Sequence, residues 1–176
     1  KQVKTTIDLL ANLAIPKAHF DFAYVIESLS KADSLLGIDN FMDNANGLNF
    51  LEFQKKIGSR ALDYAEEVAK KYDIKSDRHI LSGQIANRLI DFVRNQGSDM
   101  LALSSEGKGP IEGVMIGSVG RKAIINSPKS VLIAKGEVEP GKKLKAIFAT
   151  DHSEYCNSCV DLLAQYNPQG FSEIVI

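Results

Sequence analysis

The chain has few of the residue types that specialised chemistries demand. It has two cysteines, Cys156 and Cys159, whose close spacing excludes the disulfide framework of a small secreted domain. Its three histidines, His19, His79 and His152, form no His-x-x-x-His pair, so each reads as a surface or strand residue rather than a metal ligand. Neither charge sign dominates, with 21 Lys plus Arg against 22 Asp plus Glu. No basic footprint is present, so neither nucleic acid nor a membrane is an expected partner. No apolar run approaches the roughly 20 residues of a transmembrane helix. No signal peptide is visible, and the expected setting is cytoplasmic.

Several motifs are also missing. The phosphate-binding pattern G-x-x-x-x-G-K-[ST] is absent, and Gly107, Gly109 and Gly113 fall one residue out of register with the dinucleotide fingerprint. Ile116 stands where a nucleophile elbow around Ser118 needs glycine. No nucleophile, base and acid can be assigned together, so specialised catalysis is not expected.

What remains is an ordinary globular composition, 44% hydrophobic and 24% charged over 176 residues. That suffices for one cored domain with part of a second. Val3, Ile7, Leu10 and Leu13 recur at helical spacing, and Pro16 ends that helix. His19–Ile26, rich in aromatic and β-branched residues, predicts a strand. Ser28–Phe50 reads as a long connection, and helical periodicity resumes at Leu51 with a stripe of Ala61, Ala65, Val68 and Tyr72. A strand around His79–Ser82 precedes a helix over Ile85–Asn95 that buries Ile85, Leu89, Phe92 and Val93. Asp99–Ser104 reads as a buried strand. A glycine-rich loop and a helix from Gly117 lead to the strand Ser130–Lys135.

Strands alternating with helices predict an α/β fold, an open parallel sheet with helices on both faces. The pattern restarts after a linker at 137–143: strand Lys145–Thr150, a helix carrying Val160, Leu162 and Leu163, then a strand that opens at Phe171. The expected organisation is one unit over 1–136 and the first β-α-β of a second over 144–176. A chain that ends inside a strand is expected to be a fragment.

Ligands of open parallel sheets bind beyond the carboxyl ends of the strands. The loop after Ser104 is therefore the candidate site. Gly107 permits a tight turn and close approach, and Gly117 and Ser118 open a helix whose free N–H groups suit an anion. Turn formation alone also accounts for such glycines.

The spacing adds to this. Ser104-x-x-Gly107, nine residues, then Gly117-Ser118-Val119, a helix, Pro128 and VLIAK resembles the universal stress protein family. That family's ATP-binding members carry G-x-x-G, nine residues and G-[ST]. Most of 1–136 is similar, and KAIFATDHSEY resembles the first strand and turn of a second such domain, which implies a tandem protein. The resemblance implies a Rossmann-like fold of the adenine-nucleotide hydrolase type and a regulatory module that binds ATP with magnesium, or a related adenine nucleotide. Gly107 and Gly117–Val119 would hold the phosphates, Val25 and Leu103 would flank the base, and Asp151 would face the adenine and ribose. It also implies pairing through Ser130–Lys135, as a homodimer or between tandem domains.

Two features depart from the family. Ser104 replaces its first glycine, and the leading unit has no first strand. Lys145–Thr150 is an alternative occupant of that central place. Two other functions stay open beside nucleotide binding. One is an interaction and dimerisation module that binds no nucleotide. The other is a thiol switch at Cys156 and Cys159, which flank Asn157-Ser158 near a helix start.

Overall fold

The computed structural model describes residues 2–27, 45–105 and 116–176. Helix α1 (Gln2–Leu13) leads into strand β1 (His19–Ile26), and helix α2 (Ala45–Lys70) into strand β2 (Lys75–Ser82). Helix α3 (Ile85–Gln96), strand β3 (Met100–Ser104), helix α4 (Ser118–Asn126) and strand β4 (Ser130–Ala134) follow. Strand β5 (Leu144–Ile147), helix α5 (Glu154–Tyr166) and strand β6 (Phe171–Val175) complete the order.

Most elements lie where sequence periodicity puts them. Two differ at their starts: α2 begins at Ala45, ahead of Leu51, and β2 begins at Lys75, ahead of His79. At β2 the polar Lys75, Ser76 and Asp77 carry a weak strand preference that pairing with β1 overrides. The long connection expected from Ser28 falls mostly outside the described residues.

Every strand pair is parallel. β1 runs beside β2 from His19↔Lys75 to Ile26↔Ser82, and β3 beside β4 from Met100↔Ser130 to Ser104↔Ala134. β5 pairs with β6. The strands thus form three pairs rather than one continuous sheet. Lys145–Thr150 does not complete the first sheet here: β5 takes β6 as its neighbour, and among the described residues β1 and β3 each keep one unpaired edge.

Strand alternation divides the helices between two faces. Phe20 and Phe22 pack with Tyr72 against Ile7 of α1 and Ala65 and Val68 of α2. On the other face, Val93 of α3 and Ala123 of α4 bury Leu101, with Leu103 and Val131 alongside. Helices α1 and α3 bridge the two pairs, α1 touching α2, β3 and β4, and α3 touching β1, β2 and α4.

The buried faces differ in detail from the expected stripes. On α3 the buried residues are Ala86, Ile90 and Val93, whereas Ile85, Leu89 and Phe92 are half-buried. On α1, Val3 is exposed, and Asp8 and Asn12 are buried with Ile7. Both polar groups have partners. Tyr72 donates to Asp8, Asn12 Nδ2 donates to the Glu139 carbonyl, and Gly141 N–H donates to Asn12 Oδ1. Asn12 thereby clamps the 137–143 linker onto α1.

Candidate functional site

Helix α1 fixes which rim of the sheet is which. Its last turn precedes β1 and lies at the amino ends of the strands. Its start, Gln2 and Thr5, borders with Ser104, Ala134, Lys135 and Gly136 a polar hollow too shallow to hold a water molecule, at the carboxyl ends of β3 and β4. Open parallel sheets recruit ligands at the carboxyl rim. The α1 side of this rim carries no sequence motif, and only packing reveals Gln2 and Thr5 there.

Candidate residues of β3 and α4 belong to this rim. Leu103 and Ser104 end β3, and the chain is held at the strand end by Ser105 N–H donating to the Ala134 carbonyl at 2.8 Å. Gly117 caps α4 from an extended conformation (φ −59°, ψ 167°) with no side-chain hydrogen bond to the helix start. Ser118 is the exposed first residue of that helix, and Val119 is half-buried. A Cβ at Gly117 would meet nothing within 4 Å. Among the described residues no side chain caps the first N–H groups of α4, an arrangement suited to an anion. Arg121, one turn in, instead turns its Nε–H back to the Ile116 carbonyl at 3.2 Å.

Ser104 imposes no backbone strain. The described non-glycine residues with positive φ are Ala14, Lys17, Asp73, His152 and Asn167. Ser104 is not among them, so serine in place of glycine costs the backbone nothing there. Its side chain shares the hollow with the start of α1. Gly107 lies outside the described residues. Val25 pairs with Leu81 near the carboxyl end of β1, on the same rim but in the other strand pair.

Asp151 occupies a separate place after β5. Its Oδ1 accepts the Ser153 N–H at 2.9 Å. Side-chain hydrogen bonds from Ser153, with help from Cys156, lower its pKa to about 2 although the carboxylate is fully exposed. Ser153 Oγ accepts the Cys156 N–H at 3.2 Å and so caps α5. Asp151 thus serves the turn into α5. The contacts of its unit with the rest of the chain are made at the amino rim. Gly170 N–H donates to the Leu13 carbonyl, and Tyr166 Oη donates to the Asp99 carbonyl at 2.8 Å. Hence Leu103 and Ser104 end β3 and Gly117 and Ser118 open α4, whereas the hydrogen bonds of Asp151 lie within the turn into α5.

Cys156 and Cys159 are both free and half-buried on α5. Among the described residues neither belongs to a three-residue metal-ligating cluster, and His152 does not join them.

Comparison with known proteins agrees with this architecture. The universal stress protein family model matches residues 7–135. The chain belongs to the universal stress protein family. A universal stress protein of Methanocaldococcus jannaschii is 29% identical over 84 residues, which are 48% of this chain and 49% of that protein. The chain thus spans about half the length of the curated relative it matches. Among solved structures, a universal stress protein from Archaeoglobus fulgidus superposes with a TM-score of 0.54 at 13% identity, covering 77% of this chain and 90% of that one. A family protein from Burkholderia pseudomallei gives 0.53 at 16%, covering 74% and 85%. These likenesses establish the Rossmann-like α/β fold. Among the described residues, no helix is long and apolar enough to cross a membrane.

Proposed function

We propose that this universal stress protein unit is a regulatory module of the stress response that binds ATP, with magnesium, or a related adenine nucleotide at the carboxyl rim. The observation that carries the reading is Gly117. As N-cap it brings no side chain to the start of α4, and among the described residues a Cβ there would meet nothing within 4 Å. Unpaired N–H groups and the positive end of the helix dipole favour phosphate at such a place. Gly117, Ser118 and Val119 would contact the phosphates together with Gly107. Leu103 and Val25 would flank the base, and Ser104 would border the ligand. Asp151 would belong to the equivalent site of the second unit rather than to this one. A reducing, cytoplasmic setting for the two free thiols is part of the same reading.

The test is a calorimetric titration with ATP, with and without magnesium, of the wild-type chain and Gly117→Ala. The backbone at Gly117 suits alanine and the space is open, so the variant folds normally while its methyl group crowds the phosphate. Binding by the wild type that weakens at least about tenfold in the variant supports the site. Absence of heat at millimolar ATP overturns it.

A second reading has an observation of its own. β4 pairs with β3 alone among the described strands, and Ile124 and Ile125 of α4 are exposed. An open edge beside an apolar helix face suits pairing of Ser130–Lys135 with its copy in a homodimer or with a tandem domain. In this reading the unit is an interaction module whether or not nucleotide binds.

A further inference from the structure

A second group of polar side chains lies at the opposite rim of the molecule. β1 begins His19-Phe20-Asp21, and β2 contains the mirror order Asp77-Arg78-His79. The register sets Asp21 opposite Asp77 and Ala23 opposite His79. Period-two alternation therefore sends His19, Asp21, Asp77 and His79 to one face of the pair. It is the face covered by α3, because the His79 ring lies against Phe92 with centroids 4.7 Å apart. Phe20, Phe22 and Arg78 point the other way, Arg78 to Asp63 and Glu66 of α2.

Two carboxylates directly opposite on adjacent strands repel each other. The structure sets an imidazole against each, with His19 Nε2 3.0 Å from Asp77 Oδ2 and His79 Nε2 2.8 Å from Asp21 Oδ1. One ligand atom each from His19, Asp21 and Asp77 lies within 4.8 Å of the other two. The group is graded in depth: Asp21 and His79 are 26% and 24% exposed, whereas His19 and Asp77 are 47% and 69% exposed.

We propose that His19, Asp21 and Asp77 form a binding site for a divalent transition-metal ion of the zinc class, with His79 as the positioning residue behind Asp21. One imidazole and two carboxylates make a donor set that such ions accept, with a fourth position for water. A dication between the strands removes the repulsion of the opposed carboxylates. Ligand–metal bonds near 2.0–2.1 Å place tetrahedral ligand atoms about 3.4 Å apart. The observed spread closes to that by rotation of His19 and Asp77, whose exposed side chains have room to turn. Asp21 stays put, because His79 engages one of its oxygens and Phe92 holds the His79 ring. A ligating carboxylate oriented by a hydrogen-bonding neighbour is the recurring outer-shell arrangement of metal sites. The site does not rest on the nucleotide reading, since it lies at the amino half of the strands.

Zinc titrated by calorimetry, and cobalt(II) by its visible absorption, test the site in the wild-type chain and in a Cys156→Ser/Cys159→Ser variant that removes thiolate competition. The expected result is one equivalent bound in both. Affinity should fall at least about tenfold in His19→Ala and in Asp77→Asn, with far-ultraviolet circular dichroism unchanged because both side chains are exposed. His79→Ala should lose about tenfold, and His79→Gln, which keeps a donor for Asp21, should recover part of it. No binding at 0.1 mM metal (roughly a −5 kcal/mol ceiling on affinity), or binding that survives the loss of both His19 and Asp77, overturns the proposal. An unchanged affinity in His79→Ala removes the positioning role.

Discussion

The hydroxyl of Tyr72, just beyond α2, donates a 2.7 Å hydrogen bond to Oδ1 of Asp8, a carboxylate buried in the middle of α1. Lys4, one turn earlier on α1, pairs with the other oxygen. Helices far apart in sequence are thereby joined by a polar contact at the edge of the Ile7–Val68 cluster. Tyr72→Phe leaves that Asp8 oxygen without its donor, and we expect a loss of about 1–3 kcal/mol in urea unfolding.

The same contact predicts an alkaline transition. Burial first, then Asp8, raises the Tyr72 pKa from 10.0 to about 12. A pKa raised by folding contributes stability that is complete below pH 10 and is lost as pH climbs through 12. Wild-type stability should therefore fall across that interval, with a shallower fall in Tyr72→Phe. Equal slopes in the two proteins would refute the linkage.

Among the described glycines, Gly170 is the tightest. A Cβ there would lie 1.7 Å from the Asn12 carbonyl oxygen, at the junction of α1 with the β5–α5–β6 unit. Backbone must move to admit it. Gly170→Ala should cost about 3 kcal/mol or separate the two parts, exposing the 137–143 linker to limited proteolysis. A variant as stable and protease-resistant as wild type would contradict this junction.

Ser153 ties Asp151 to the start of α5. Removing its hydroxyl in Ser153→Ala should cost about 1 kcal/mol through the lost cap. The Asp151 pKa, held at about 2 first by the Ser153 side chain, should return toward 3.8, as carboxyl NMR titration would record. Because folding lowers this pKa, its contribution is present above pH 3.8 and is lost as pH falls through about 2. Ser153→Ala should weaken that acid dependence.

Ile125 is 78% exposed on α4, and among the described strands β4 pairs with β3 alone. If copies pair there, Ile125→Glu should convert a dimer to a monomer in analytical ultracentrifugation without lowering the melting temperature of the monomer. A wild-type monomer at 100 µM, where association weaker than roughly −5 kcal/mol escapes detection, would argue against that face.

Much of the layout was legible from residues alone. The strands His19–Ile26 and Asp99–Ser104 are bounded by Pro16, Gly97 and the glycine loop. Gly97 does stop α3, in the left-handed conformation (φ 69°) that the glycine permits. The Ser104, Gly107 and Gly117–Ser118 spacing pointed to the family that the comparisons then established. The start of α2 was not legible, because Asn46 and Gly47 are residue types that favour turns over helix.

Periodicity and punctuation determined the elements of this protein and their alternating order, since each depends on neighbours within a few residues. The tertiary structure alone decided three other things. It paired β5 with β6 and, among the described residues, left β1 and β3 each with one open edge. It buried Asp8 and Asn12, polar residues on a helix whose apolar stripe promised otherwise. It also set His19 against Asp77 and His79 against Asp21, each across 58 residues of chain. Local spacing carries no record of such contacts, because strand register between distant segments is set only when both are packed against the same helices.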